Sequence, residues 1–210
     1  MYPWLRLFRV GLGLVGKKKV DLMTTTSVRM RVWPHDLDFN CHVNNGRYLS
    51  LADIGRVHWC ARTGLLGMAV RQRAVPVVGD VIAKFRRELK VFQSFEVHTR
   101  LVGWNSKWGF LEHRFVRDGR VIGSVTIRGV FKGASGLVKP EAMLHALGHK
   151  SASPALQEWV NQFHSSSELA SAALRAEEQW PEWLAPDRQT ESRRLLTLDE
   201  EATPAVSVSQ

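Results

Sequence analysis

The chain has 210 residues, 44% hydrophobic and 23% charged, with 8 Trp and 9 Phe, a balance that fills a core and excludes a disordered protein. Its length suits one catalytic domain with short appendages. The formal charge of +9 points to anionic partners without choosing among membranes, nucleic acids and phosphorylated cofactors, and two cysteines, Cys41 and Cys60, exclude a disulfide framework and a CxxC zinc pair and fit a reducing compartment.

Residues 1–23 form an apolar and basic arm. MYPWLRLFRVGLGLVG is followed by Lys17, Lys18 and Lys19; it is short for a bilayer span, and a secretory signal would carry its charges before the apolar run. Two readings stand: a helix lying on an anionic membrane surface, with Trp4, Leu5, Leu7 and Phe8 beside arginines, and a terminal helix docked on its own domain.

From Thr24 to Trp33, Val28, Met30 and Val32 alternate with Ser27, Arg29 and Arg31, the period of a strand with one buried face. Pro34 ends it. HDLDFNCHVNNGRY reads as a polar loop, and Tyr48 to Leu65 as one helix of about five turns, with Leu49, Ala52, Ile54, Val57, Ala61 and Leu65 at helical spacing and Gly64 as its stop signal. Four extended runs follow: VPVVGDVIAKFRREL, SFEVHTRLVGW, KWGFLEHRFVRDG and RVIGSVTIRGVFKG. Asp118-Gly119 supplies the positive backbone angles of a tight hairpin. Strand, long helix and antiparallel meander make an α+β layout, with the helix against one face of a curved sheet.

Residues 24–140 make the domain and 141–184 peripheral helices, one opening at Ser153 as cap with Pro154 in its first turn. Residues 185–210 read as a flexible tail. No internal repeat is present.

The densest polar cluster is Asp36, Asp38, Asn40, His42, Asn44 and Asn45. Capping explains Asn44 or Asn45, because a short polar side chain satisfies nearby backbone amides. It does not explain a carboxylate, an amide and an imidazole in alternation at Asp38, Asn40 and His42, a variety that a reactive site needs.

DLDFNCHVNNGRY resembles the motif of the hotdog-fold thioesterases, including 4-hydroxybenzoyl-CoA thioesterase and the plant acyl-ACP thioesterases, whose DLDxNxHVNNxxY pattern it matches almost letter for letter. The overall likeness is to the thioesterase superfamily member 6 group, through this motif, the FEVHTRLVGW stretch and the hydrophobic N-terminus. The resemblance covers roughly residues 25–140, one domain, and implies a single hotdog fold: a curved antiparallel sheet wrapped around a long central helix, here with extra C-terminal helices.

It further implies hydrolysis of a fatty or aromatic acyl-CoA or acyl-ACP to free acid and thiol. Asp38 falls at the position of the nucleophile or general base, and Asn40 and His42 at positions that orient thioester or water and exchange protons. Val43, Asn44, Asn45 and Glu88 fall at substrate-side positions, although Glu88 also reads as a surface carboxylate paired with Arg86 or Arg87. Tyr48, Asp53 and Arg56 match structural positions on the helix.

Thioester hydrolysis needs an activated oxygen nucleophile and an oxyanion donor, and little help for a leaving thiolate. Backbone amides at the helix start supply the donor, so no metal or cofactor is called for. His58, His98 and His113 lack paired ligand spacing, the Gly11–Gly16 and Gly133–Gly136 elements lack the setting of nucleotide loops, and the basic residues follow no nucleic-acid motif. The expected partners are the acyl carrier, a membrane surface touched peripherally by the arm, and further copies of the chain in a homodimer or homotetramer, in the cytoplasm. The alternative is a weakly catalytic or non-catalytic membrane-associated acyl-binding protein.

Overall fold

The structure, a computed structural model, describes residues 3–134 and 136–179. The expected tail, and residues 180–184 of the expected peripheral helices, lie outside the described residues. The described elements are helices α1 (Trp4–Leu12), α2 (Asn45–Thr63), α3 (Leu65–Arg71), α4 (Pro140–Ala146) and α5 (Glu158–Gln179) and strands β1 (Thr26–Arg31), β2 (Val75–Phe85), β3 (Ser94–Trp104), β4 (Gly109–Arg117), β5 (Arg120–Gly133) and β6 (Gly136–Val138). Residues 1–164 form one compact unit and residues from 165 onward a second; the description below concerns the first.

All strand pairings are antiparallel, in the order β1-β3-β4-β5-β2, with β6 paired to β5. The sheet curves around α2, as the α+β reading expects. Val28 and Met30 from β1, Val32 just after it, Phe95 and Val97 from β3, Phe115 from β4 and Ile122, Val125 and Ile127 from β5 form one buried cluster with Tyr48, Leu51, Ala52 and Ile54 of α2. Each fully buried aliphatic or aromatic side chain contributes about 2 kcal/mol, so this interface is the principal store of stability and it fixes where α2 begins.

The buried face of α2 matches the expected one in part: Ala52, Ile54 and, just beyond the helix, Leu65 are buried as expected, but Leu49 is exposed, Val57 and Ala61 are half-buried, and the face also takes in Tyr48, Leu51, Gly55, His58 and Trp59. Gly55 explains the shift: a Cβ there would lie 2.7 Å from Thr99 Oγ1 and 2.9 Å from Val97 Cγ1, so the helix approaches β3 on a line where only glycine fits. Gly64, at φ +84, ends α2 in a left-handed cap. The chain then turns directly into α3, a helix that the apolar run LLGMAV did not betray by its period.

Two further boundaries move. The second strand ends at Phe85 rather than Leu89, because the amides of Arg86 and Arg87 both donate to the Ile122 carbonyl at 2.9 and 3.0 Å and turn the chain out of the ladder. Ser153 does not cap a helix: its hydroxyl accepts from the Trp104 amide at 2.8 Å and donates to the Pro154 carbonyl, and α5 opens only at Glu158. Asp118 and Gly119 do form the expected β4–β5 turn, at φ +51 and +71.

On the convex face Trp108, Phe110 and Val130 are buried beneath Leu156 and Val160. The buried Arg128 guanidinium donates to Asp80 and, at 3.1 Å, bonds His164 Nδ1, and it lies 4.5 Å from the Trp108 ring centroid. Pairing and cation–π contact thus compensate a charge that would be costly alone.

Candidate active site

Between β1 and α2 the chain makes a small hairpin of its own. Leu37 bridges Val43, the Asp38 amide donates to the His42 carbonyl at 3.0 Å, and the Cys41 amide donates to the Asp38 carbonyl at 3.1 Å with Cys41 at φ +58. A left-handed non-glycine residue is sparsely tolerated, and here the flanking bridge holds it. The hairpin is pinned below by the Val43 amide, which donates to the Leu89 carbonyl at 2.9 Å, and by a bridge from His42 to Lys90.

This turn brings Asp38, Asn40 and His42 together. Asp38 Oδ1 accepts from the Asn40 amide at 2.9 Å, which commits one carboxylate oxygen. Its other oxygen, Oδ2, lies 3.4 Å from His42 Nδ1, longer than a full-strength hydrogen bond but close enough to tighten around a reacting group. His42 Nδ1 is also 3.4 Å from the Val43 carbonyl. The Asp38 side chain is largely sheltered and that of His42 half-buried, whereas Asn40 is exposed and Phe39 at the turn's tip is 93% exposed.

The remaining motif residues divide. Val43 is buried in the α2 cluster and faces the core. Asn44 caps α2, its Oδ1 accepting from the Gly46 amide at 2.9 Å, while the Arg47 amide donates to the Asn44 carbonyl. Gly46 and Arg47 are therefore no longer free to bind an oxyanion, and the first-turn N–H that keeps its hydrogen free is that of Asn45. Glu88 is exposed and pairs with Lys90 Nζ at 3.0 Å, not with Arg86 or Arg87. Tyr48 is buried and stacks edge-on with Phe85 and Phe115, and Asp53 pairs with Arg56 one turn along α2.

The carboxylate that organises the loop is Asp36, whose role the sequence did not disclose. It is 1% exposed and accepts from Arg6 Nη1 at 2.9 Å and again from Arg6 Nη2, from Arg47 Nε at 2.8 Å and from the Trp33 amide at 2.8 Å. Burial pushes its pKa up, but Arg6, the Trp33 amide and Arg47 together outweigh that and hold it below the ordinary carboxylate range. Arg6 is 30 residues away in sequence, so no local pattern could have announced this pair.

His58 on α2 and His113 on β4 are both buried, each with Nδ1 on a threonine hydroxyl, Thr26 at 3.3 Å and Thr99 at 2.9 Å. Burial, reinforced by Arg62 and Lys17, pushes His58 down to about 4; burial, reinforced by Arg56, pushes His113 down to about 3. Both are neutral core groups. His98 pairs with Glu96 elsewhere on the sheet, so the three histidines do not converge. A separate apolar cavity lies toward the C-terminal end of α2, lined by Trp59, Cys60, Leu101, Ile127, Met143 and Leu144 among others; Asn45 and Cys60 are 15 residues apart on one helix, about 22 Å at the helical rise.

A family model described as Thioesterase-like superfamily matches residues 32–163. Protein THEM6 of Danio rerio is 36% identical over 165 residues, which cover 75% of this chain and 77% of that protein. Protein THEM6 of Xenopus laevis is 33% identical over 160 residues, covering 75% of each. Among solved structures, the YbaW probable thioesterase of Escherichia coli superposes with a TM-score of 0.55 at 20% identity, covering 59% of this chain and 96% of that one; at that identity the likeness is one of fold, and the fold is the hotdog.

Proposed function

We propose that this chain, which belongs to the thioesterase-like superfamily and is a thioester hydrolase by that membership, cleaves a fatty or aromatic acyl thioester of coenzyme A or of acyl carrier protein to free acid and thiol. One observation carries the assignment of roles: a sheltered carboxylate, Asp38, has one oxygen tied to its own turn and the other turned toward His42, on a hairpin that leads straight to the first free amide of α2.

In this reading Asp38 Oδ2 takes a proton from water as the water oxygen bonds to the thioester carbon. The carbonyl oxygen, gaining charge, is met by the Asn45 N–H and the positive end of α2. The tetrahedral adduct then collapses by breaking the C–S bond, and the thiolate leaves without needing an acid. His42 orients the water or thioester and relays a proton, and Asn40, exposed at the turn, positions the thioester. In attack by Asp38 itself, the same oxygen would form an anhydride that water then opens.

The test is turnover of a panel of acyl-CoAs by purified protein with a thiol-trapping dye. Asp38→Asn should lower kcat about a hundredfold or more, the scale of a lost general base. It should cost on the order of 1 kcal/mol of stability or less, because Asn keeps the acceptor for the Asn40 amide. Near-normal turnover in Asp38→Asn would refute the mechanism and favour the acyl-binding alternative.

Two features of the same unit support assembly and location. β2 is a sheet edge of 11 residues whose Val75, Val77, Val81 and Phe85 are exposed, a liability that pairing across a homodimer or homotetramer removes. Along α1, Trp4, Leu5, Phe8 and Leu12 are exposed while Arg6, Leu7 and Val10 are partly buried. The helix is therefore docked on its domain by one side and offers an apolar stripe by the other, with Lys17, Lys18 and Lys19 just beyond it. That geometry combines both readings of the arm and suits peripheral contact with an anionic membrane from the cytoplasm. No helix among the described residues is long and apolar enough to cross a membrane.

A further inference from the structure

The segment that leaves β2, residues 86–90, does two jobs at once. Its Arg86 and Arg87 amides hold the Ile122 carbonyl of β5, and its Leu89 and Lys90 hold the reactive hairpin through Val43 and His42. Beside it lies the β4–β5 turn, where Arg117 faces Arg120 across the register. The two meet in a surface groove. One part is lined by Arg87, Arg117, Asp118, Arg120 and Ile122, and the adjoining part by Arg87, Glu88, Lys90, Gln93 and Arg117. Arg87 and Arg117 line both parts, and Lys90, in the second, bridges His42 of the hairpin.

Its charge is unevenly compensated. Lys90 is paired with Glu88 at 3.0 Å and Arg117 with Asp118 at 3.2 Å, and Arg117 Nη1 also donates to Gln93, whose side-chain oxygen accepts from the Lys90 amide at 2.9 Å. Arg87 and Arg120 make no ion pair among the described residues. Four cations against two carboxylates thus line one groove, and the two unpaired guanidinia are exposed. Guanidinium groups held in common toward solvent are arranged for phosphate, which they bind in a planar, bidentate fashion.

We propose that this groove binds the phosphates of coenzyme A's nucleotide, with Arg87 and Arg120 as the principal contacts and the thioester arm running from the Lys90 end to Asp38. The proposal rests on the thioesterase reading and deepens it: the carrier is free coenzyme A rather than phosphopantetheine on a carrier protein. The 3′-phosphate and pyrophosphate concentrate charge in a compact end group that a short cationic groove can neutralise. The phosphopantetheine of a carrier protein has no such nucleotide.

The experiment compares the full-length wild type with R87Q/R120Q on three substrates of one acyl chain: acyl-CoA, acyl-dephospho-CoA and acyl-pantetheine. It adds calorimetric titration with coenzyme A and with adenosine 3′,5′-bisphosphate. Two charge-assisted contacts at an exposed site predict that the wild-type preference in kcat/KM for acyl-CoA over acyl-pantetheine falls about tenfold in the variant. The loss should appear in KM, with acyl-dephospho-CoA intermediate, and bisphosphate binding should weaken in parallel. An unchanged preference, or an equal loss on acyl-pantetheine, overturns the groove assignment while leaving hydrolysis intact. Faster turnover of acyl carrier protein than of acyl-CoA overturns the choice of carrier. If the wild type cleaves none of the three, the thioesterase reading fails, and the titrations still decide whether the groove holds the nucleotide.

Discussion

Replacing Asp36 by Asn should damage the fold far more than replacing Asp38, two residues away. Asp36 is 1% exposed and its single charge is shared by two guanidinia, Arg6 and Arg47, whose own exposures are 12% and 11%. Asn keeps one acceptor oxygen but presents an NH2 group toward a guanidinium and carries no charge, so both arginines lose the counter-charge they share. Removing one member of a buried pair costs about 3–5 kcal/mol, and slight hydration of both arginines puts this case near the lower end. About 3 kcal/mol in a unit of this size lowers the melting temperature by roughly 10 °C. The assay is thermal unfolding of Asp36→Asn, Arg6→Met and the double variant at pH 7. Arg6→Met alone should cost less, because Arg47 and the Trp33 amide still satisfy the carboxylate. In the Asp36→Asn background it should cost little or nothing, giving a coupling of at least about 1 kcal/mol. An Asp36→Asn protein melting within 2 °C of wild type, by the roughly 3 °C per kcal/mol that applies here, would refute the claim that this carboxylate ties α1, the loop before the Leu37–Val43 hairpin and α2 together.

Stability should also fall as pH drops below about 6.5, because unfolded histidine takes up a proton there while His58 and His113 stay neutral down to about 4 and 3. The unfolded state then binds more protons, so each group withdraws about 2 kcal/mol between pH 6.5 and 5; urea titrations at the two pH values measure it, and a flat profile would contradict the burial of both rings. Sedimentation velocity at micromolar concentration should show a dimer or larger species, and lysines at Val77 and Val81 on the exposed β2 edge should shift it to monomer. A wild type that is monomeric with full activity would remove the assembly. Leu5→Ser with Phe8→Ser, both on the outer side of α1, should reduce co-sedimentation with anionic vesicles without disturbing the Arg6 pair; equal binding would discard the membrane contact.

Local periodicity carried the fold well where one face of an element is buried. β1 buries Val28 and Met30 in the alternation its run indicated, β3 and β5 fall on the extended runs Ser94–Trp104 and Arg120–Gly133, and Gly64 and Asp118-Gly119 act through the positive φ that such residues tolerate. It failed where a single tertiary contact overrides propensity. Ser153 has the chemistry of a cap, but the Trp104 amide competes for its hydroxyl and wins. The α2 face was read only in part, because the helix makes its close approach to β3 at Gly55, which no hydrophobic pattern counts.

The same distinction separates the legible and illegible parts of the site. Asp38, Asn40 and His42 are neighbours in sequence, so a tight turn within the expected polar loop was enough to gather them. Asp36 sits in the same motif but draws its partners from residues 6 and 47, and the cationic groove draws its side chains from the exit of β2 and the β4–β5 turn. Such convergence is fixed by strand register, since Arg117 reaches Arg120 only when β4 and β5 pair as they do. A one-residue slip would send alternate side chains to the other face. The composition had already registered the excess positive charge. Only the register concentrates part of it beside the hairpin that carries Asp38 and His42.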